Sequence, residues 1–240
     1  MKPILLVRND PYETFGVATS ALGAAGVPIL VHDAIDPNAA PASLDDVGGV
    51  VMFGSSYNVE HADEQPFIKE VRELTLRALE RRIPYLGVCF GAQVLAWSLG
   101  AEVGKGPVRE VGFEPLHPEP AAAQDPLLGH YEDGDMVFQW HMDTFALPSE
   151  AILLATGDAV PNQAFRVGDR TWGTQFHFEI DEPEIVLWLT AFAEEGDLVS
   201  AWGKTSEQVR DEARRHVAVH ERKGREVFRR FATVAASAGP

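Results

Sequence analysis

The sequence predicts an α/β fold of three layers, a mostly parallel central sheet with helices on both faces. Three observations carry that expectation. From residue 3 to residue 100, short apolar runs alternate with segments of helical periodicity. The connections between them are short, as in strand–helix–strand units. Of the 240 residues, 45% are hydrophobic and 23% charged, which is enough apolar material for a sizeable core.

The elements follow in order. Residues 3–7 (PILLV) suit a buried strand. Phe15, Ala18, Leu22 and Ala25 then recur at helical spacing, with Gly26 as a stop. Residues 28–32 (PILVH) read as a second strand, and 48–53 (GGVVMF) as a third that runs into Gly54-Ser55-Ser56. A helix is predicted from Pro66, a favoured first-turn residue, through Phe67, Val71, Leu74 and Leu79, ending before Pro84. Residues 84–88 (PYLGV) form the fourth strand, and helical spacing resumes at once through GAQVLAWSLG to Gly100.

Residues 108–178 differ in character. The runs MVFQWH, AILLAT, QAFRV and TWGTQFHFE predict antiparallel strands added to the sheet, with Gly168-Asp169 as a hairpin turn. Residues 116–126, rich in Pro and Ala, read as a loop. Beyond about residue 184 the chain reads as helical. PEIVLWLTAFAEEG gives one helix, and Thr205 with Gln208 a capping box for another. In the latter, Val209, Ala213, Val217, Phe228 and Phe231 form a broken stripe that Gly224 weakens or divides, with the basic residues on a solvated face. The expected organisation is a domain over 1–195 and a C-terminal helical extension over 196–240.

Acidic residues number 36 against 20 basic, a formal net charge of −16. Such a surface repels phosphate backbones and anionic lipid headgroups, so neither nucleic acid nor membrane is expected as a partner. No stretch approaches the ~20 apolar residues of a membrane span. One cysteine cannot form an internal disulfide, and MKPILLVRND lacks the features of a signal peptide, so the cytoplasm is the default compartment.

The chemistry starts at Gly87-Val88-Cys89-Phe90-Gly91, between a predicted strand and a predicted helix. A nucleophile flanked this way sits on a sharp strand-to-helix turn, where glycines let the backbone turn without Cβ clashes. The turn puts the thiol at a helix N-terminus, which favours the thiolate, and aims the Phe90 amide at a developing oxyanion. The plainer reading, a buried structural cysteine, has no use for that setting. In Thr174-Gln175-Phe176-His177-Phe178-Glu179, strand alternation places His177 and Glu179 on one face, where a carboxylate can orient a histidine. A chance surface H-x-E is the alternative for that pair taken alone. No further His or Cys lies at metal-like spacing, so no metal is expected.

Taken together and in that order, G-V-C-F-G-A-Q, Q-W-H-M-D-T-F-A-L-P and T-Q-F-H-F-E resemble the free-standing, GMP-synthase-like members of the class I glutamine amidotransferase family, over about residues 3–195. The resemblance implies a flavodoxin-like fold and a Cys-His-Glu hydrolase that releases ammonia from glutamine through a γ-glutamyl thioester. It implies Cys89 as nucleophile, His177 as acid and base, and Glu179 as the partner of His177. It further implies Gln93 at the substrate's amino-acid end and Trp140-His141-Met142 along the glutamine pocket. Phe90 and the loop at Gly54-Ser55 would be oxyanion donors, the second through the Ser55 amide. No cofactor is implied. The partners implied are glutamine or a γ-glutamyl compound and a synthetase subunit as ammonia acceptor, with self-association left open. A γ-glutamyl peptidase and a catalytically silent regulatory subunit remain as alternatives. The sequence departs from its relatives at Ser55-Ser56, usually Gly-Pro, at Phe178, usually proline, and at Met142, often glycine. A serine at position 55 takes some backbone dihedrals less easily than a glycine, and Met142 would narrow the pocket rim.

Overall fold

The computed structural model describes residues 1–195 and 202–237. Its strands are β1 (Ile4–Arg8), β2 (Ile29–Asp33), β3 (Gly49–Met52), β4 (Tyr85–Val88), β5 (Val103–Pro118), β6 (Asp135–Phe145), β7 (Ala151–Gly157), β8 (Ala164–Val167) and β9 (Thr171–Thr174). Among the described residues they form one sheet, in the order β2-β1-β3-β4-β9-β8-β7-β5-β6. The half from β2 to β9 is parallel, and the half from β8 to β6 is antiparallel. The helices are α1 (Ala18–Ala24), α2 (Pro66–Glu80), α3 (Phe90–Ser98), α4 (Glu182–Glu195) and α5 (Ser206–Ser237).

Alternation along the parallel strands sorts their side chains onto two faces. Ile4, Leu6, Val51, Phe53, Leu86 and Val88 face one core, which α1 and the C-terminal half of α5 cover through Leu22, Phe228 and Phe231. Leu5, Val7, Val50, Met52 and Tyr85 face the other, which α2 and α3 cover through Val71, Leu74, Val94 and Leu95. A third apolar cluster fills the space between β5–β6 and the helices α4 and α5, with Phe113, Phe138 and Trp140 against Ile185, Leu189 and Val209. The three-layer architecture therefore holds. No helix of the described residues is long and apolar enough to cross a membrane.

Four local expectations change. α1 begins at Ala18 rather than at Phe15, because Phe15 and Gly16 both have positive φ, 69° and 44°, which no α-helix accommodates. Residues 116–118, read as part of a loop, belong to β5, and the loop is confined to a short 3₁₀ turn at Pro120–Gln124. β9 ends at Thr174, and His177 pairs beyond it through a single bridge to Phe138. α5 runs unbroken through Gly224, where a side chain would lie 2.0 Å from the Phe178 carbonyl oxygen. The glycine is there so that the helix can approach that backbone closely. The stripe is also continuous, since His220 and Gly224 are buried on the same face as Val217 and Phe228. The expected helix end at Gly196 and the boundary at 195/196 touch residues outside those described.

Candidate active site

The nucleophile candidate is placed by hard sterics. Cys89 follows β4 and caps α3 with φ 49° and ψ −106°, a conformation that L-residues rarely adopt. A Cβ on Gly87 would lie 2.5 Å from the Gly91 carbonyl oxygen, and one on Gly91 would lie 2.1 Å from that of Met52. Both glycines are thus required by close approach, and the strained φ sits on the cysteine between them. The Cys89 amide donates to the Thr174 carbonyl at 2.7 Å, which ties the turn to the end of β9. Phe90 is the first residue of α3, so its amide has no acceptor within the helix.

His177 reaches this turn from a different direction. Its amide donates to the Phe138 carbonyl at 2.9 Å, and its buried Nδ1 lies 2.6 Å from Glu179 Oε1. The Cys89 sulfur lies near enough to act on the ring electrostatically. Gly54 lets the ring in, since a Cβ there would be 2.9 Å from His177 Cε1. Trp188 of α4 stands edge-on to the ring at 5.0 Å. Burial opposes charge on the imidazole, but Glu179, its hydrogen bond and the Cys89 sulfur outweigh it and hold its pKa well above the ordinary value. The three residues come together at one place, with His177 between Cys89 and Glu179, and strand alternation is not what aligns them.

A cleft opens beside Cys89, and Gly54, Ser55, Gln93, Trp140, His141 and Met142 all line it. Gln93 is buried on α3 and donates to the Asp143 carbonyl at 3.0 Å, which rules out a merely exposed helix residue. The Trp140 carbonyl lies 4.0 Å from the sulfur, while the ring packs against Phe192, Trp188 and Trp202. His141 is held from both sides, Nε2 at 2.9 Å from Glu110 Oε2 and Nδ1 at 3.1 Å from the Asp143 carbonyl. Ser55 avoids positive φ, so serine carries no backbone penalty there, and its hydroxyl donates to the Asn9 carbonyl at 2.7 Å. The Ser56 amide is occupied by Asp10 at 2.9 Å. Phe178 faces away from the cleft, with its ring on Phe228 of α5 at 5.2 Å.

The model of the glutamine amidotransferase class-I family matches residues 17–184. The chain belongs to the class-I glutamine amidotransferase family. The matched span holds the elbow, the His177–Glu179 pair and the Trp140–Met142 segment. A glutamine amidotransferase-like protein of Salmonella typhimurium is 30% identical over 176 residues, 72% of this chain and 74% of its own length. GMP synthase (glutamine-hydrolysing) of Porphyromonas gingivalis is 37% identical over 149 residues, 61% of this chain but 28% of that protein. The chain thus spans under a third of that synthase. Among solved structures, a glutamine amidotransferase of Methylobacillus flagellatus is 26% identical with a TM-score of 0.85 over 98% of this chain and 95% of its own. One from Thermotoga maritima is 25% identical with a TM-score of 0.82 over 99% of both chains.

In this amidotransferase chain several residues of the site escape a reading of the sequence. Gln175 donates to the Cys89 sulfur at 3.6 Å and accepts from Gln93 at 3.4 Å. It stands two places before His177, and that spacing was its only signal. Trp188, Phe192 and Trp202 line the cleft from beyond the matched span. Glu13 lines it too, from a loop that no motif marks.

Proposed function

We propose that this chain hydrolyses the side-chain amide of glutamine with Cys89, His177 and Glu179 as its catalytic triad. The observation that supports this reading most is a strained elbow whose cysteine acts electrostatically on a buried imidazole that Glu179 holds at 2.6 Å. In this reading His177 takes the thiol proton and the thiolate attacks the amide carbon. The Phe90 and Ser55 amides hold the oxyanion, and His177 returns the proton to departing ammonia. The γ-glutamyl thioester is then hydrolysed by a water that His177 activates, which releases glutamate. Gln93 and the Trp140–Met142 segment hold the amino-acid end of the substrate. The ammonia goes to a synthetase.

A second reading, cleavage of γ-glutamyl conjugates, draws on one observation. The cleft is walled by the rings of Trp140, Trp188, Phe192 and Trp202, which offer apolar surface to a leaving group larger than ammonia. A release assay separates the two. The purified chain is incubated with glutamine and with γ-glutamyl dipeptides, and ammonia and free amino acid are measured. Ammonia from glutamine, lost in Cys89→Ser, supports the first reading, and amino acid released from the dipeptides alone supports the second. In parallel, a glutamine-mimicking electrophile should label Cys89 of the wild-type chain. If mass spectrometry finds no adduct there after long exposure, the site is not competent and a binding-subunit role takes precedence.

A further inference from the structure

Behind the His177–Glu179 pair lies a feature that the hydrolysis does not use. Glu13, Glu179 and Glu184 are 3%, 0% and 1% exposed, and they lie close enough to act on one another electrostatically. Each carboxylate has one oxygen engaged. Glu179 Oε1 meets His177, Glu13 Oε1 accepts from the Phe15 amide at 2.6 Å, and Glu184 Oε1 accepts from the Thr14 amide at 2.6 Å. The other oxygen of each is buried without a hydrogen-bond partner. The only ion pair made by the three among the described residues is that of Glu179 with His177.

Three buried anions facing one imidazolium would leave two negative charges in a medium of low dielectric, which no protein site of this kind sustains without a cation. The groups that face Glu13 and Glu184 add little positive charge. They are Glu179 and His177 beyond the end of β9 and Asp181 at the head of α4. Cys89 stands across His177, His220 of α5 lies behind it, and Tyr131 lies beside Glu179. Of these only His177 offers a positive charge.

We propose that Glu13 and Glu184 share one proton at neutral pH, and that they act as positioning residues which leave Glu179 as the ionised partner of His177. The inference rests on the reading of Cys89, His177 and Glu179 as the triad. Two further contacts agree with it. The loop that carries Glu13 wraps the backbone of Glu179, with the Val17 amide donating to the Glu179 carbonyl at 2.8 Å and Gly16 leaving no room for a side chain there. Burial first, and then the neighbouring carboxylates, raise the pKa of Glu13 well above its ordinary value. Burial likewise lifts Glu184 to about 7. Loss of the shared proton would set a second negative charge beside Glu179 and hold His177 protonated to higher pH. It would then give its proton less readily to departing ammonia, so activity falls as pH rises through that step.

The test uses the full chain and two readouts. Infrared spectra of the wild type should show the C=O stretch of a buried protonated carboxyl at neutral pH. That band should disappear on raising the pH and be absent in both Glu13→Gln and Glu184→Gln. Each variant replaces the shared proton with a neutral amide and keeps one carboxylate. The rate of Cys89 alkylation against pH should therefore lose one titration step in each variant rather than drop uniformly. No protonated-carboxyl band in the wild type at neutral pH would overturn the proposal, even if neither variant folds. So would variants whose profiles keep the wild-type shape at a lower level, the mark of a purely structural role. Neither readout needs turnover, so a chain that fails to hydrolyse glutamine would refute the proposed function and leave this inference standing on its own measurement.

Discussion

Cys89 and His177 meet in one site, yet opposite kinds of force put them there. The cysteine is fixed by its immediate neighbours, since Gly87 and Gly91 let β4 and α3 close to distances that no side chain allows. The histidine and its carboxylate sit past the end of β9, where the ladder no longer holds them. They are held instead by the Phe138 carbonyl, by the loop around Val17 and by the Phe178–α5 contact. The nucleophile is thus a local construction, and the base is a tertiary one. Damage near Cys89 in sequence should disturb the thiol itself, whereas the base should be vulnerable to changes far along the chain.

A matched pair of substitutions tests that contrast. Gly91→Ala and Gly224→Ala each drive a methyl group to within 2.1 and 2.0 Å of a carbonyl oxygen. Each should lose more than about 4 kcal/mol in chemical denaturation, well beyond the ~1 kcal/mol that Ala gains over Gly inside a helix. In what remains folded, alkylation of Cys89 should be impaired far more by Gly91→Ala. An equal loss in both would mean that the elbow depends on α5 as much as the histidine does.

A second measurement sharpens the comparison through His220, buried on α5 against the backbones of His177 and Met136. Burial lowers its pKa from 6.5 to about 4. The unfolded chain takes up a proton near pH 6.5 that the folded chain refuses until about 4, so this contribution to stability is complete above pH 6.5 and falls as the pH drops towards 4. Its full size is about 3 kcal/mol. Glu13 and Glu184 act in the opposite sense over the same interval, so the measured quantity is the difference between the wild type and His220→Gln. The variant should lose less stability than the wild type between pH 7 and pH 4, and parallel curves would remove His220 from the account. The smallest effect belongs to the start of α5. Thr205 Oγ1 accepts from the Gln208 amide at 3.0 Å, and the Gln208 side chain accepts from the Thr205 amide at 2.7 Å. Thr205→Ala should cost about 1 kcal/mol in thermal unfolding without altering Cys89 alkylation.

The same contrast explains what could be read from the sequence. The elbow is legible because its cause lies within five consecutive residues. The parallel strands are legible because burial on both faces writes itself as short apolar runs. The run TWGTQFHFE suggested the right pair for an incomplete reason, since His177 and Glu179 meet outside the ladder. β5 was hidden by its composition, with Gly104, Gly106, Pro107 and Gly112 inside a single strand. Its register against β6 breaks between Lys105 and Glu110, where such residues cost least. The stripe on α5 looked interrupted because two of its buried positions are histidine and glycine. Glu13 and Glu184 left no trace, because residues so far apart along the chain produce no local pattern.

The backbone at Cys89 has one more consequence. A residue held at φ 49° and ψ −106° carries a conformational cost of about 1–3 kcal/mol, and glycine alone would relieve it. The fold is therefore under standing pressure to lose its single thiol. A screen that ranked variants of this chain by melting temperature would reward a glycine at that position, and its most robust products would be those with no nucleophile.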